Sequence, residues 1–260
     1  MIIEETMPSG MRVWHARPNT ENPRGVLMLL HERYGPVQHS FNLIEKAAAD
    51  GFVGVMQDLF HRYKGERGPV ERAQARVDVT DDESTVDIEE TLTYLKSLSY
   101  VNDAPVGIAG FCLSGRIPLV FAAAHSDAAA IAVTHGGIYP RDYQGEKPGQ
   151  AKVSRLIPLI TCPVLGMFGE ADLSVPMENV SRFRRELERA GKNYWIRVYA
   201  DTPHAWMNTT EHGRYRVDQS NDAWRSMLEF FDAAFAGDWA GEHMRWRFEP
   251  ATAVDFDFAT

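Results

Sequence analysis

Apolar residues along this chain recur with two periods, and the switches between them divide it into strands and helices. Short, nearly continuous apolar runs at residues 26–30, 52–56, 105–109, 130–134 and 163–168 have the length of strands buried on both faces. Residues 194–199 alternate, as a further strand would. Residues 41–50, 87–98, 117–124, 175–190 and 221–235 instead have the spacing of helices, and Gly51 and Gly191 stop two of them. At the start, residues 2–6 and 11–16 flank Pro8-Ser9-Gly10 and read as a hairpin. Strands alternating with helices predict an α/β fold: a mostly parallel central sheet, helices on both faces and an N-terminal hairpin. Residues 62–81 are polar and read as a flap or a short helix, and residues 139–150 as a charged loop near the pocket. The segment 237–260 carries Trp239, Trp246, Phe248, Phe256 and Phe258. It is too aromatic for a free tail and is expected to pack on the body or on a second copy. The 260 residues therefore read as one domain, 1–260, with 237–260 as an aromatic-rich extension.

The most informative stretch follows the third of those apolar runs: Gly110-Phe111-Cys112-Leu113-Ser114-Gly115, then a helix. A reactive side chain among small residues at a strand-to-helix junction has the form of a nucleophile elbow, with a thiol in place of a hydroxyl. Unpaired N–H groups at the start of the next helix would favour a thiolate there. The six residues alone fit a buried structural cysteine equally well. The downstream chain decides between the two. Asp172 ends the loop after the strand at 163–168, and His204 lies just past the strand at 194–199. A nucleophile, an acid and a histidine in this order, each at a strand end, predict a Cys112–His204–Asp172 triad.

These pieces resemble the dienelactone hydrolase (carboxymethylenebutenolidase) family of α/β-hydrolases. Besides the elbow, the matching residues are His31-Glu32-Arg33-Tyr34-Gly35, Gln57-Asp58-Leu59-Phe60, the acid loop 169–176 and His204-Ala205-Trp206. The likeness runs from about residue 25 to residue 235. It implies an α/β-hydrolase fold and hydrolysis of an ester or lactone through a cysteinyl acyl-enzyme. It also implies that Glu32 restrains the resting thiol until substrate binds, and that the oxyanion hole is formed by the N–H groups of Leu113 and Arg33. A carboxylate beside a thiolate would indeed disfavour the charged form. The chain departs from the family pattern twice. Ser114 stands where glycine is usual, and Trp206 where lactone-opening members carry a substrate-binding arginine. Trp206, Tyr34, Arg72 and Arg76 are the candidate substrate contacts, and the tryptophan predicts a more apolar pocket.

Composition narrows the rest. A formal net charge of −9 argues against nucleic acid or an anionic membrane as partner. Arg182, Arg184, Arg185 and Arg189 alternate with Glu186 and Glu188 and read as a solvated helix face. Two cysteines make no disulfide framework, and Cys162 reads as a packed residue. No secretory signal or membrane-length apolar run is visible, so a cytoplasmic monomer or homodimer is expected. No cofactor or metal is expected, since His31-Glu32 is half of an HExxH motif with Gly35 where the second histidine belongs. Three other functions are weighed: a carboxylesterase or thioesterase for an apolar acyl group, a non-catalytic ligand-binding module, and thiol redox sensing. The last would need neither Asp172 nor His204.

Overall fold

The computed structural model describes residues 1–101, 103–144, 148–239 and 244–250. The chain opens with the hairpin β1 (Ile2–Thr6) and β2 (Arg12–Ala16), followed by β3 (Val26–Leu30), α1 (Gln38–Ala49) and β4 (Val53–Gln57). Next come the short α2 (Arg67–Glu71) and the long α3 (Asp81–Lys96). Strand β5 (Val106–Phe111) leads through a 3₁₀ turn at Cys112–Arg116 into α4 (Ile117–Ala124). Then follow β6 (Ala130–Thr134), the short α5 (Pro140–Gln144) and α6 (Val153–Leu156), and β7 (Val164–Gly169). The chain continues through α7 (Met177–Arg189), β8 (Tyr194–Tyr199), α8 (Val217–Phe235) and β9 (Trp246–Glu249). One nine-stranded sheet runs β1-β2-β4-β3-β5-β6-β7-β8-β9. Only the hairpin is antiparallel, within itself and against β4.

This is the α/β-hydrolase arrangement, and the apolar runs explain it. On β3, Val26, Met28 and Leu30 face a layer built with α3, α4 and α7, while Leu27 and Leu29 face α1 and α8. A strand buried on both sides must be apolar at every position, which is why these runs do not alternate. The long helix α3 begins six residues earlier than its apolar spacing suggests. Thr80 caps it, with Thr80 Oγ1 accepting from the Glu83 N–H and Glu83 Oε2 from the Thr80 N–H. That reciprocal capping pattern is legible as Thr-x-x-Glu. On α7, the pairs Arg182–Glu186 and Arg184–Glu188 flank the buried Phe183 and Leu187.

The aromatic extension packs on the body where it is described. Trp239 is buried against Phe230, with ring centroids 5.3 Å apart. Strand β9, which the apolar pattern does not predict, adds a parallel edge to β8. Trp246 is exposed at this edge and Phe248 partly buried, with Arg247 stacked 3.8 Å over Trp195. Phe256 and Phe258 lie outside the described residues. No helix among the described residues is long and apolar enough to cross a membrane.

At the end of β5 the backbone turns sharply, and Cys112 takes a φ of +51°. Close approach makes the turn possible. A Cβ on Gly110 would lie 2.2 Å from the Ser114 carbonyl oxygen, and one on Gly136 would lie 2.0 Å from that of Cys112. Ser114, expected only to be small enough for the turn, pins it. Its buried Oγ accepts from the Phe111 N–H at 2.9 Å and shares its proton between the Leu30 and Phe111 carbonyls, both at 3.0 Å. Removing one partner of a buried hydrogen bond leaves the others unsatisfied. Ser114→Ala is therefore expected to lower the unfolding free energy by about 1–3 kcal/mol, read from urea denaturation.

Candidate active site

Five loops leave the C-terminal ends of the central parallel strands and converge on one cavity, where ligands of open α/β sheets bind. Glu32 follows β3, Cys112 follows β5, His135 follows β6, Asp172 follows β7 and His204 follows β8. The cavity has a volume of about 590 Å³, within the roughly 300–1,000 Å³ of small-molecule sites.

The three residues of the expected triad meet. His204 Nε2 lies 3.1 Å from Cys112 Sγ, and His204 Nδ1 lies 2.8 Å from Asp172 Oδ2. The other carboxylate oxygen of Asp172 accepts from the N–H groups of Ser174 and Val175, at 2.8 and 3.2 Å. Burial works against the Asp172 carboxylate, but these bonds outweigh it and hold its pKa below the ordinary range. Burial likewise opposes an imidazolium at His204. The bonds and charges of Asp172 and Cys112 prevail there and raise it to about 10. This geometry can support an imidazolium beside a thiolate. Cys162, by contrast, is partly buried behind β7, where burial pushes its thiol up to about 12.

Glu32 follows β3 as expected and is bonded to groups other than the thiol. Its Oε1 accepts from His135 Nε2 at 2.9 Å, and its Oε2 from the amide of Asn208. A carboxylate this deeply buried requires such donors, and the thiol points to His204 instead. Burial opposes ionisation of Glu32, yet its partners, His135 first, hold its pKa below the usual value. His135 is fully buried, sits at φ +37° and meets His204 edge to face, 5.3 Å between centroids. His31, the other half of the Glu32 motif, is structural. Its Nε2 accepts from the Leu59 N–H, its Nδ1 donates to the Glu32 carbonyl, and burial pushes its pKa down to about 4.

The substrate-contact expectations are partly overturned. Trp206 is 0% exposed and does not line the cavity. Ala205 takes a φ of +62°, so the chain turns and drops the indole onto Tyr199, 4.8 Å between centroids. The Trp206 carbonyl accepts from Ser220 Oγ and the Arg216 N–H at the start of α8. Arg72 bonds Gln74 and also stands outside the cavity. Arg33, Tyr34, Leu113 and Arg76 do line it, together with Tyr139, Arg141 and Arg214. The expected apolar pocket is thus replaced by one carrying four arginines on a chain of net charge −9. His135, Asn208, Tyr139, Arg141 and Arg214 are not among the expected site residues, but His135 directly follows a predicted strand, and Tyr139 and Arg141 lie in the charged loop expected near the pocket. Among the described residues no group of three His, Cys, Asp or Glu side chains is placed to hold a metal ion.

The chain is similar to known proteins in sequence and in fold. A family model described as the dienelactone hydrolase family matches residues 11–235. A relative from Escherichia coli O157:H7, provisionally named a carboxymethylenebutenolidase, is 28% identical over 227 residues, 85% of this chain and 82% of its own. One from Yersinia pestis with the same provisional name is 27% identical over 240 residues, 88% of this chain and 86% of its own. A crystal structure from Klebsiella pneumoniae, provisionally titled a dienelactone hydrolase, superposes with a TM-score of 0.78 at 25% identity, covering 91% of this chain and 98% of that one. A dienelactone hydrolase-like promiscuous phosphotriesterase from metagenomic libraries shares the fold, with a TM-score of 0.69 at 18% identity over 90% of this chain and 98% of that one.

The raised His204 pKa links the site to stability. An imidazole held above its unfolded value of 6.5 stabilises the fold fully below that pH, and the contribution is lost as pH rises through about 10. Asp172→Asn removes the main partner of the imidazolium. Unfolding free energies measured from pH 6 to 10 are expected to decline less steeply for Asp172→Asn than for the wild type.

Proposed function

The chain belongs to the dienelactone hydrolase family, and from that premise we propose that it hydrolyses an ester or lactone bearing an acidic group, through an acyl-enzyme on Cys112. The observation that carries this reading is the Cys112–His204–Asp172 relay, at 3.1 and 2.8 Å, opening into a cavity lined by four arginines. In this scheme the Cys112 thiolate attacks the carbonyl carbon, and the N–H groups of Leu113 and Arg33 receive the developing oxyanion. His204 passes its proton to the departing oxygen, which in a lactone stays tethered to the acyl group. It then takes a proton from the water that releases the acid. Asp172 holds the imidazole in the tautomer that this requires and balances its charge. Glu32, bound on both oxygens by His135 and Asn208, takes no proton from the thiol here. It serves as a fixed anion beneath the site.

The arginines point to the substrate class. Arg76 and Arg214 face the cavity, with Asp78 and Glu211 as their acidic neighbours at 3.3 and 3.9 Å. A substrate carboxylate gains from charge-assisted hydrogen bonds to such groups. The apolar-ester alternative rested on Trp206, which is buried in the core.

Cys112→Ala is expected to abolish turnover, and Cys162→Ala to leave it nearly unchanged. Mass spectrometry after brief exposure to an activated ester should find the acyl group on Cys112; acylation elsewhere would remove the reading. For specificity, Arg76→Gln and Arg214→Gln should each lower kcat/KM on a carboxylate-bearing lactone by about tenfold. Hydrolysis of a neutral aryl ester should stay within about twofold. An equal loss on both substrates would assign these arginines to the fold.

A further inference from the structure

Cys112 Sγ has a second polar neighbour besides His204. The hydroxyl of Tyr139 donates to it across 3.7 Å, a length that suits a sulfur acceptor with its large radius. We infer that Tyr139 is a catalytic residue that holds the sulfur of Cys112 as an anion, both before attack and when sulfur leaves the acyl-enzyme. The inference rests on the proposed cysteinyl mechanism and adds a residue to it.

Three features indicate that the contact is built rather than incidental. First, Tyr139 is buried, and among the described residues its hydroxyl donates to the sulfur. Burial, with the Cys112 charge beside it, keeps the phenol protonated well above its ordinary range. It therefore remains a donor at any working pH. Second, the Arg141 guanidinium stacks 4.2 Å over the phenol ring. A cation on the ring face withdraws charge from the ring and strengthens the O–H as a donor.

Third, the loop that carries Tyr139 is fastened by the chain leaving the elbow. Asp142 Oδ2 accepts from the Tyr139 N–H at 2.9 Å, and Asp142 faces the Arg116 guanidinium at 3.9 Å. Arg116, four residues beyond the nucleophile, is buried. It grips both oxygens of Asp81 at 2.8 Å and donates to the Ala151 carbonyl at 2.8 Å. The same turn that exposes the thiol thus sends out the guanidinium that sets the loop above it. Arg116 and Asp142 are positioning residues for Tyr139.

The chemistry balances without further reactants. Water attacks the thioester carbonyl and gives its proton to His204. The C–S bond then breaks, and its electron pair settles on Sγ, where the Tyr139 O–H and the His204 imidazolium both face it. The acid departs, and the thiolate–imidazolium pair is restored. Other ionisable groups around Sγ come from each neighbouring loop: Glu32, Arg33 and Tyr34 after β3, Arg76 before α3, Arg141 after β6, and Asp172 behind His204. None of these six is seen to bond the sulfur among the described contacts, whereas Tyr139 and His204 do.

The test is the pH dependence of Cys112 alkylation by iodoacetamide, a neutral reagent, in a Cys162→Ala background where one thiol reports. Tyr139→Phe keeps the ring and its packing against Arg141. It should move half-maximal alkylation about one pH unit higher, the equivalent of a tenfold change in thiolate at a given pH. Asp142→Asn should move it the same way by less. With an aryl ester, Tyr139→Phe should lower kcat about tenfold with little change in KM and leave more acyl-enzyme visible by mass spectrometry. A Tyr139→Phe profile superimposable on that of the parent, with Cys112 still acylated by an activated ester, would overturn this inference alone. No acyl group on Cys112 after exposure of the parent to an activated ester would overturn it together with the mechanism on which it rests.

Discussion

Cys112 sits at φ +51°, a backbone conformation that costs a non-glycine residue free energy and survives only where its surroundings enforce it. Those surroundings are the framework of the site. Gly110 and Gly136 let other parts of the chain come within a side chain's width, and Ser114 ties the turn to β3 through the Leu30 carbonyl. Enforcing the turn brings the ends of β3, β5 and β6 together, and with them Glu32, Cys112 and His135. The strain at Cys112 therefore cannot be relieved without disturbing its neighbours on both adjacent strands. His135, at φ +37°, shows the same economy one strand away.

Charge organises what the turn has gathered. Buried carboxylates are stable only with donors in reach, and each one at the site has them. Asp172 takes His204 and two backbone amides, Glu32 takes His135 and Asn208, and Asp81 takes Arg116 and the Ala151 N–H. None of these anions lines the cavity, whereas four arginines do. A chain with nine excess negative charges thus presents a cationic pocket. That inversion is the observation on which the proposed acidic substrate rests.

The same rule accounts for the largest departure from the family pattern. Here one imidazole and one amide hold both Glu32 oxygens. Glu32 is thus tied to His135 and Asn208, and the Cys112 sulfur faces His204.

The sequence by itself determined the layers, and it put a cysteine, an acid and a histidine, in that order, at strand ends. Apolar runs report burial on both faces directly, and the elbow, acid and histidine are local motifs at strand ends. It also carried the cap of α3 in a short local pattern that apolar spacing alone passes over. Only the tertiary structure decided what surrounds the sulfur. Trp206 stands two residues from His204, yet the turn at Ala205 sends it into the core, while Asn208, two residues further on, returns to the site. Arg141 and Arg214 come from loops distant in sequence and meet only because the sheet brings its strand ends together. The direction of a side chain on an irregular loop depends on backbone dihedrals and on what fills the space beneath it. Neither is encoded in the spacing of residues along the chain.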